Sequence, residues 1–91
     1  MLVFFNEEFP SLLPPLSAAV GDEDARNLHD AAHKAKSAAS SAGAVPLAAL
    51  LAGIEADAGS GEWSDLGTRV AAVVEEYARL EAFCRNENDG N

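Results

Sequence analysis

The chain has little of several things. Among its 91 residues there is one cysteine, Cys84, so no internal disulfide can form and an oxidising compartment is not implied. Basic residues are scarce: six Lys and Arg against fifteen Asp and Glu give a formal net charge of −9. Nucleic acid is held by clustered Lys and Arg, so this balance argues against such a partner and disfavours an anionic membrane surface. No window approaches the roughly 20 apolar residues that span a bilayer. The start, MLVFFNEEFP, has no basic leader and does not read as a secretory signal. β-Branched residues are thin outside Val70, Val73 and Val74, and no stretch alternates with period two, so a sheet has no support. The expectation left standing is a cytoplasmic domain.

What is present points to helices. Hydrophobic residues make up 48% of the chain, too many for a disordered acidic segment, and alanine dominates. Turn signals at Gly21-Asp22, Gly43 and Gly59-Ser60-Gly61 divide the chain into four pieces. The first carries Phe5, Phe9, Leu12, Leu13, Leu16 and Val20, interrupted by Pro10, Pro14 and Pro15, which predicts a helix kinked or split in two. The second is predicted to start after Asp22 as N-cap, with Glu23 and Asp24 in its first turn, and to end at Ala42 with Gly43 at C′. The third starts near Pro46 with a stripe of Leu47, Leu50, Leu51 and Ile54. The fourth runs from about Glu62 to Arg85, burying Trp63, Leu66, Val70, Val73, Tyr77, Leu80 and Phe83. Short connections predict an all-α, antiparallel up-down four-helix bundle forming one domain over residues 1–85, with residues 86–91 (NENDGN) a disordered tail.

The second piece is two-sided. Ala25, Leu28, Ala32, Ala35, Ala39 and Ala42 share one face, while Arg26, His29, Asp30, His33, Lys36, Ser37 and Ser40 occupy the other. An exposed imidazole at neutral pH keeps one ring nitrogen free as a nucleophile. A lysine three residues on lies roughly 5–6 Å away between Cβ atoms, within reach of a group carried on that nitrogen.

The stretch AHKAKSAASSAGA, Ala32 to Ala44, resembles the signature of the histidine-containing phosphotransfer (HPt) domain of bacterial phosphorelays. His33, Lys36, Gly43 and Ala44 match in register, and Leu47, Leu50, Ile54-Glu55 and Trp63 follow the family's downstream pattern. The likeness covers Val3 to Phe83. Ser37 stands where the family usually has glycine, and the chain is expected to lack the short extra first helix of many members. The resemblance implies that His33 accepts a phosphoryl group through Nε2 from an aspartyl phosphate on a receiver domain and passes it to another receiver. It implies that Lys36 steadies the phosphoryl group and that Arg26, His29, Lys34, Ser37, Ser40 and Gly43 form the docking surface. The expected partners are response-regulator receivers and a hybrid histidine kinase. The chain is expected to be a monomer, a relay rather than a self-sufficient catalyst, and to need no cofactor, magnesium belonging to the receiver.

Two other readings use the same residues. One is a helical interaction module that docks on a receiver or kinase without taking up phosphate. The other is a metal-binding bundle in which His29 and His33 chelate an ion with Asp30 or Cys84 as a third ligand. In every reading Glu55, Glu75, Glu76 and Glu81 are a wet outer face and Trp63 and Tyr77 pack the core; outside the metal-binding reading Cys84 is inert rather than nucleophilic.

Overall fold

A computed structural model of the chain describes the backbone of residues 9–89 and the side chains of residues 9–82. Among the described residues all regular structure is helical. A 3-10 turn at Phe9–Leu12 leads directly into α1 (Leu13–Gly21), followed by α2 (Ala25–Ser41), α3 (Val45–Asp57) and α4 (Trp63–Asp89). Pro14 and Pro15 stand in the first turn of α1, where the missing N–H groups would have had no partner within the helix. Of the first apolar series, Phe5 lies outside the described residues.

The connection between α1 and α2 differs from expectation. Asp22 caps the C-terminus of α1, and the N-cap of α2 is Asp24, whose carboxylate accepts from the Asn27 backbone N–H at 3.1 Å and from Asn27 Nδ2 at 2.9 Å. The N-cap is two residues later than the expected Asp22 because α1 closes on backbone bonds. The N–H of Glu23 donates to Val20 O and that of Asp24 to Ala19 O. This paired pattern places Glu23 at φ 52°, a left-handed conformation that usually falls to glycine. The α2–α3 connection follows the same pattern with its expected residue. Gly43 takes φ 78°, its N–H donates to Ser40 O, and Ala44 donates to Ala39 O.

The core is built from one stripe of each helix. Leu16 and Ala19 of α1, Leu28, Ala32, Ala35 and Ala39 of α2, Leu47, Leu51 and Ile54 of α3, and Leu66, Val70, Val73 and Tyr77 of α4 are all buried. Phe9 is buried too, its ring stacked on Tyr77 with centroids 5.0 Å apart, which ties the 3-10 turn to α4. Contacts run α1 to α2, α2 to α3, α3 to α4 and α4 back to α1, and the α2–α3 interface is the most extensive. Between α3 and α4, Arg69 donates from Nη1 to Asp57 Oδ2 at 2.7 Å and to Gly53 O at 3.3 Å, and its Nε pairs with Asp65 at 2.9 Å. Asp57, then Asp65, hold the Arg69 guanidinium more firmly protonated than usual. Trp63 and Leu80 are half-buried against the core, and Phe83 lies beyond the described side chains.

The last helix runs on to Asp89, past the expected end at Arg85. Residues 86–89 contain no proline or glycine to stop it, and the first such residue is Gly90. Residues 90–91 lie outside the described backbone. No helix of the described residues is long and apolar enough to cross a membrane.

The left-handed Glu23 generates a stability test. A non-glycine side chain there costs on the order of 1 kcal/mol, so Glu23→Gly is expected to stabilise the fold by roughly 0.5–1 kcal/mol. The urea midpoint should rise with an unchanged denaturant slope.

Candidate functional site

The polar face of α2 is held beside α3 by the apolar face behind it. Leu28, Ala32, Ala35 and Ala39 have no exposed surface, and three of the four are alanine. Small contact residues bring helix axes toward the near end of the usual 8–10 Å range. A side chain at the edge of α3 can then reach across the seam.

That side chain is Glu55. Its Oε2 lies 2.8 Å from His33 Nδ1, and its Oε1 lies 2.5 Å from Lys36 Nζ. The same Oε2 is 3.7 Å from His29 Nε2, and His29 Nδ1 is 3.6 Å from Asp30 Oδ1. One carboxylate thus gathers three side chains from one face of α2. The Glu55 side chain is only 15% exposed, against 61% for His33. The hydrogen bonds from Lys36 and then from His33 hold the carboxyl below its ordinary value of 4.5, against an opposing effect of burial.

The tautomer of His33 follows. A carboxylate only accepts hydrogen bonds, so the partner nitrogen Nδ1 carries the proton. In the neutral ring Nε2 is then bare. It has no partner among the described residues, on a side chain that is largely exposed. An exposed, unprotonated ring nitrogen with its opposite N–H fixed to a carboxylate is a positioned nucleophile.

The other expected residues take different positions. Arg26, Ser37 and Ser40 are exposed and lie seven before, four after and seven after His33, along one stripe of α2. Arg26 and Lys34 have no ion pair among the described residues, whereas Lys36 is engaged by Glu55. Lys34 is about 100° round the helix from His33. With Asp30 and Asn27 it lines a cleft of ≈ 490 Å³ between α1 and α2, whose apolar side includes Leu12, Pro15 and Ala18. Gly43 is ten residues beyond His33, roughly 15 Å along the axis, and its own local demand is the left-handed turn. Among the described residues no group of three His, Cys, Asp or Glu forms a metal-holding cluster, and the Cys84 side chain lies outside them.

Glu55 corrects the sequence reading, which placed it on the wet outer face. The signal was its register: Glu55 follows buried Leu51 by four residues and buried Ile54 by one, at the margin of the buried stripe. Glu75, by contrast, is exposed, while Glu76 is partly covered and accepts from Arg79 at 2.8 Å.

Because the Glu55 carboxyl is shifted downward, its contacts stabilise the folded state above the ordinary carboxyl value and are lost as pH falls through the lowered one. The stability difference between the wild-type protein and Glu55→Gln is expected to persist at about pH 6 and to shrink below 4.5. Urea titrations across that range read it directly.

The family model for the Hpt domain matches residues 1–83. Searches of curated proteins and of solved structures found no match.

Proposed function

The chain belongs to the Hpt domain family, whose members carry out histidine phosphotransfer in two-component phosphorelays, and from that premise we propose that His33 is its phosphoacceptor. The observation that carries the proposal is the Glu55 contact at Nδ1, which leaves Nε2 of the exposed His33 ring bare. Hpt domains work with receiver domains and kinases. The donor proposed here is a receiver carrying an aspartyl phosphate.

In the step, the Nε2 lone pair attacks phosphorus, the phosphorus–oxygen bond to the aspartate breaks, and the carboxylate leaves with the electron pair. The imidazole ring gains positive charge as the Nε2–P bond forms. Its Nδ1–H already faces the Glu55 carboxylate, so the developing charge meets an acceptor in place and the hydrogen bond strengthens. Donation to a second receiver reverses the same bonds. Transfer of this kind depends on positioning and charge more than on covalent machinery. Lys36 is proposed to exchange Glu55 Oε1 for a phosphoryl oxygen once the phosphoryl group arrives.

Further parts of the reading rest on less direct support. Arg26 and Lys34, on the helix of His33 and without an ion pair among the described residues of an acidic chain, are proposed to steer an acidic receiver pocket onto this face, with His29, Ser37 and Ser40 in its footprint. Gly43 belongs to the same docking surface through the turn that it shapes. Magnesium is assigned to the receiver and no cofactor to this chain. The domain is read as one unit through residue 85, monomeric and cytoplasmic. Its four helices are taken to run alternately up and down, because each connection is short. The first is read as split where the 3-10 turn meets Leu13.

Incubation with a phosphorylated receiver is expected to label the chain with acid-labile, alkali-stable phosphate. His33→Gln should abolish labelling and His29→Gln should largely spare it; equal labelling of the His33 variant sinks the assignment. Glu55→Gln should slow uptake roughly tenfold, as loss of a charged hydrogen-bond partner implies. Charge reversal at Lys36 (Lys36→Glu) should slow it far more than reversal at Arg79, which is exposed and pairs with its helix neighbour Glu76.

A further inference from the structure

His29 stands one helical turn before His33, and both rings address the same oxygen. Oε2 of Glu55 is 2.8 Å from His33 Nδ1 and 3.7 Å from His29 Nε2, while Lys36 holds Oε1. The shorter contact is a hydrogen bond and the longer one is not. His29 also has a carboxylate on its other side, with Asp30 Oδ1 3.6 Å from Nδ1. A neutral imidazole has one N–H and serves one such acceptor, whereas an imidazolium has two and serves both. Each carboxylate stands less than about 1 Å outside hydrogen-bond reach of a side chain that is 54% exposed and free to turn. Arg26, Asp30, His33 and Lys36 on α2 and Glu55 on α3 are the charged and titratable groups around it, Arg26 standing one turn before His29 on the same face. Among the described residues, α1 and α4 place no charged group in contact with His29 or Glu55.

We propose that His29 is a positioning residue for phosphotransfer: as an imidazolium it competes with His33 for Oε2 of Glu55 and thereby governs which ring nitrogen of His33 is free. This rests on His33 being the phosphoacceptor. With His29 neutral, Glu55 fixes the proton of His33 on Nδ1 and leaves Nε2 bare. With His29 charged, Glu55 turns toward the new cation, His33 loses its fixed acceptor, and protonation of Nε2 removes the nucleophile.

The test separates the charge at position 29 from the titration of His33 by working at about pH 8. His29→Lys supplies a permanent cation there, and His29→Gln supplies none. Imidazole ¹⁵N spectra are expected to show His33 with Nδ1 protonated in the wild-type protein and in His29→Gln. In His29→Lys the Nε2–H tautomer should be populated as well. Phosphoramidate is the phosphoryl donor, its P–N bond breaking to release ammonia as P–Nε2 forms. Labelling of His29→Lys should fall at least about threefold below both the wild-type protein and His29→Gln. Unchanged His33 tautomers in folded His29→Lys, with helical circular dichroism matching wild type, would overturn the proposal. Absence of label on the wild-type protein despite the tautomer response would sink the phosphoacceptor reading and still support the coupling of His29 to Glu55.

Discussion

The close approach of α3 to α2 governs the rest of the structure. It is set by residues that carry no chemistry. Ala32, Ala35 and Ala39 give α2 a nearly flat buried face, and Leu47, Leu51 and Ile54 of α3 fill the space that larger side chains would have taken. A single large residue at Ala35 would push the helices apart, because interiors are too densely packed to absorb extra volume without movement. Glu55 spans the seam with a short side chain. Even a small increase in separation would take its carboxylate out of reach of His33 and Lys36 together. The apolar stripe of α2 and the polar cluster on its other side are therefore one design.

The carboxylate that crosses this seam turns an ordinary exposed histidine into a directed one. Without a partner, a neutral imidazole places its proton on either nitrogen. With Glu55 kept ionised by Lys36 and His33, the proton belongs on the inner nitrogen and the lone pair on the outer. The cost of holding a carboxylate at the helix seam is offset by the contacts that converge on it. No buried side-chain polar atom among the described residues lacks a partner. Mounting the histidine on the middle of a 17-residue helix fixes its backbone more firmly than a loop would. The ring's orientation is then left to one hydrogen bond.

The fold was legible in the sequence wherever one chain segment decides the outcome. The alanine face of α2, the stripe Leu47, Leu51 and Ile54, and Gly43 at its turn all follow from local spacing and local conformation. Legibility failed where two segments negotiate. The cap of α2 fell to Asp24 because α1 chose to close through Glu23, a left-handed residue that no propensity favours. The end of α4 ran past Arg85 because the tail, though polar, contains nothing that breaks a helix before Gly90. Glu55 was hidden for the strongest version of this reason. On its own helix it is one more acidic residue, and its meaning comes from a histidine 22 positions earlier. His33 itself was legible because the family's motif is local, but its chemical state was not.

The pairing of Lys36 with Glu55 also changes how the scarce positive charge should be understood. Six basic residues on a chain of net charge −9 would be expected to disappear into ion pairs, and several do. Lys36 is held by Glu55, Arg69 by Asp57 and Asp65, and Arg79 by Glu76. Arg26 and Lys34, before and after His33 in the chain, have no ion pair among the described residues although acidic residues outnumber basic ones. Exposed charges more than about 8–10 Å apart are screened at physiological salt, so what an approaching protein meets at close range is the local field of this face and not the overall charge. On the docking proposal, a partner with an acidic pocket would be repelled by most orientations of this domain and admitted by the one that brings its pocket to His33. Orientation by charge and orientation of the lone pair by Glu55 would then act on the same approach, and neither would require the domain to move.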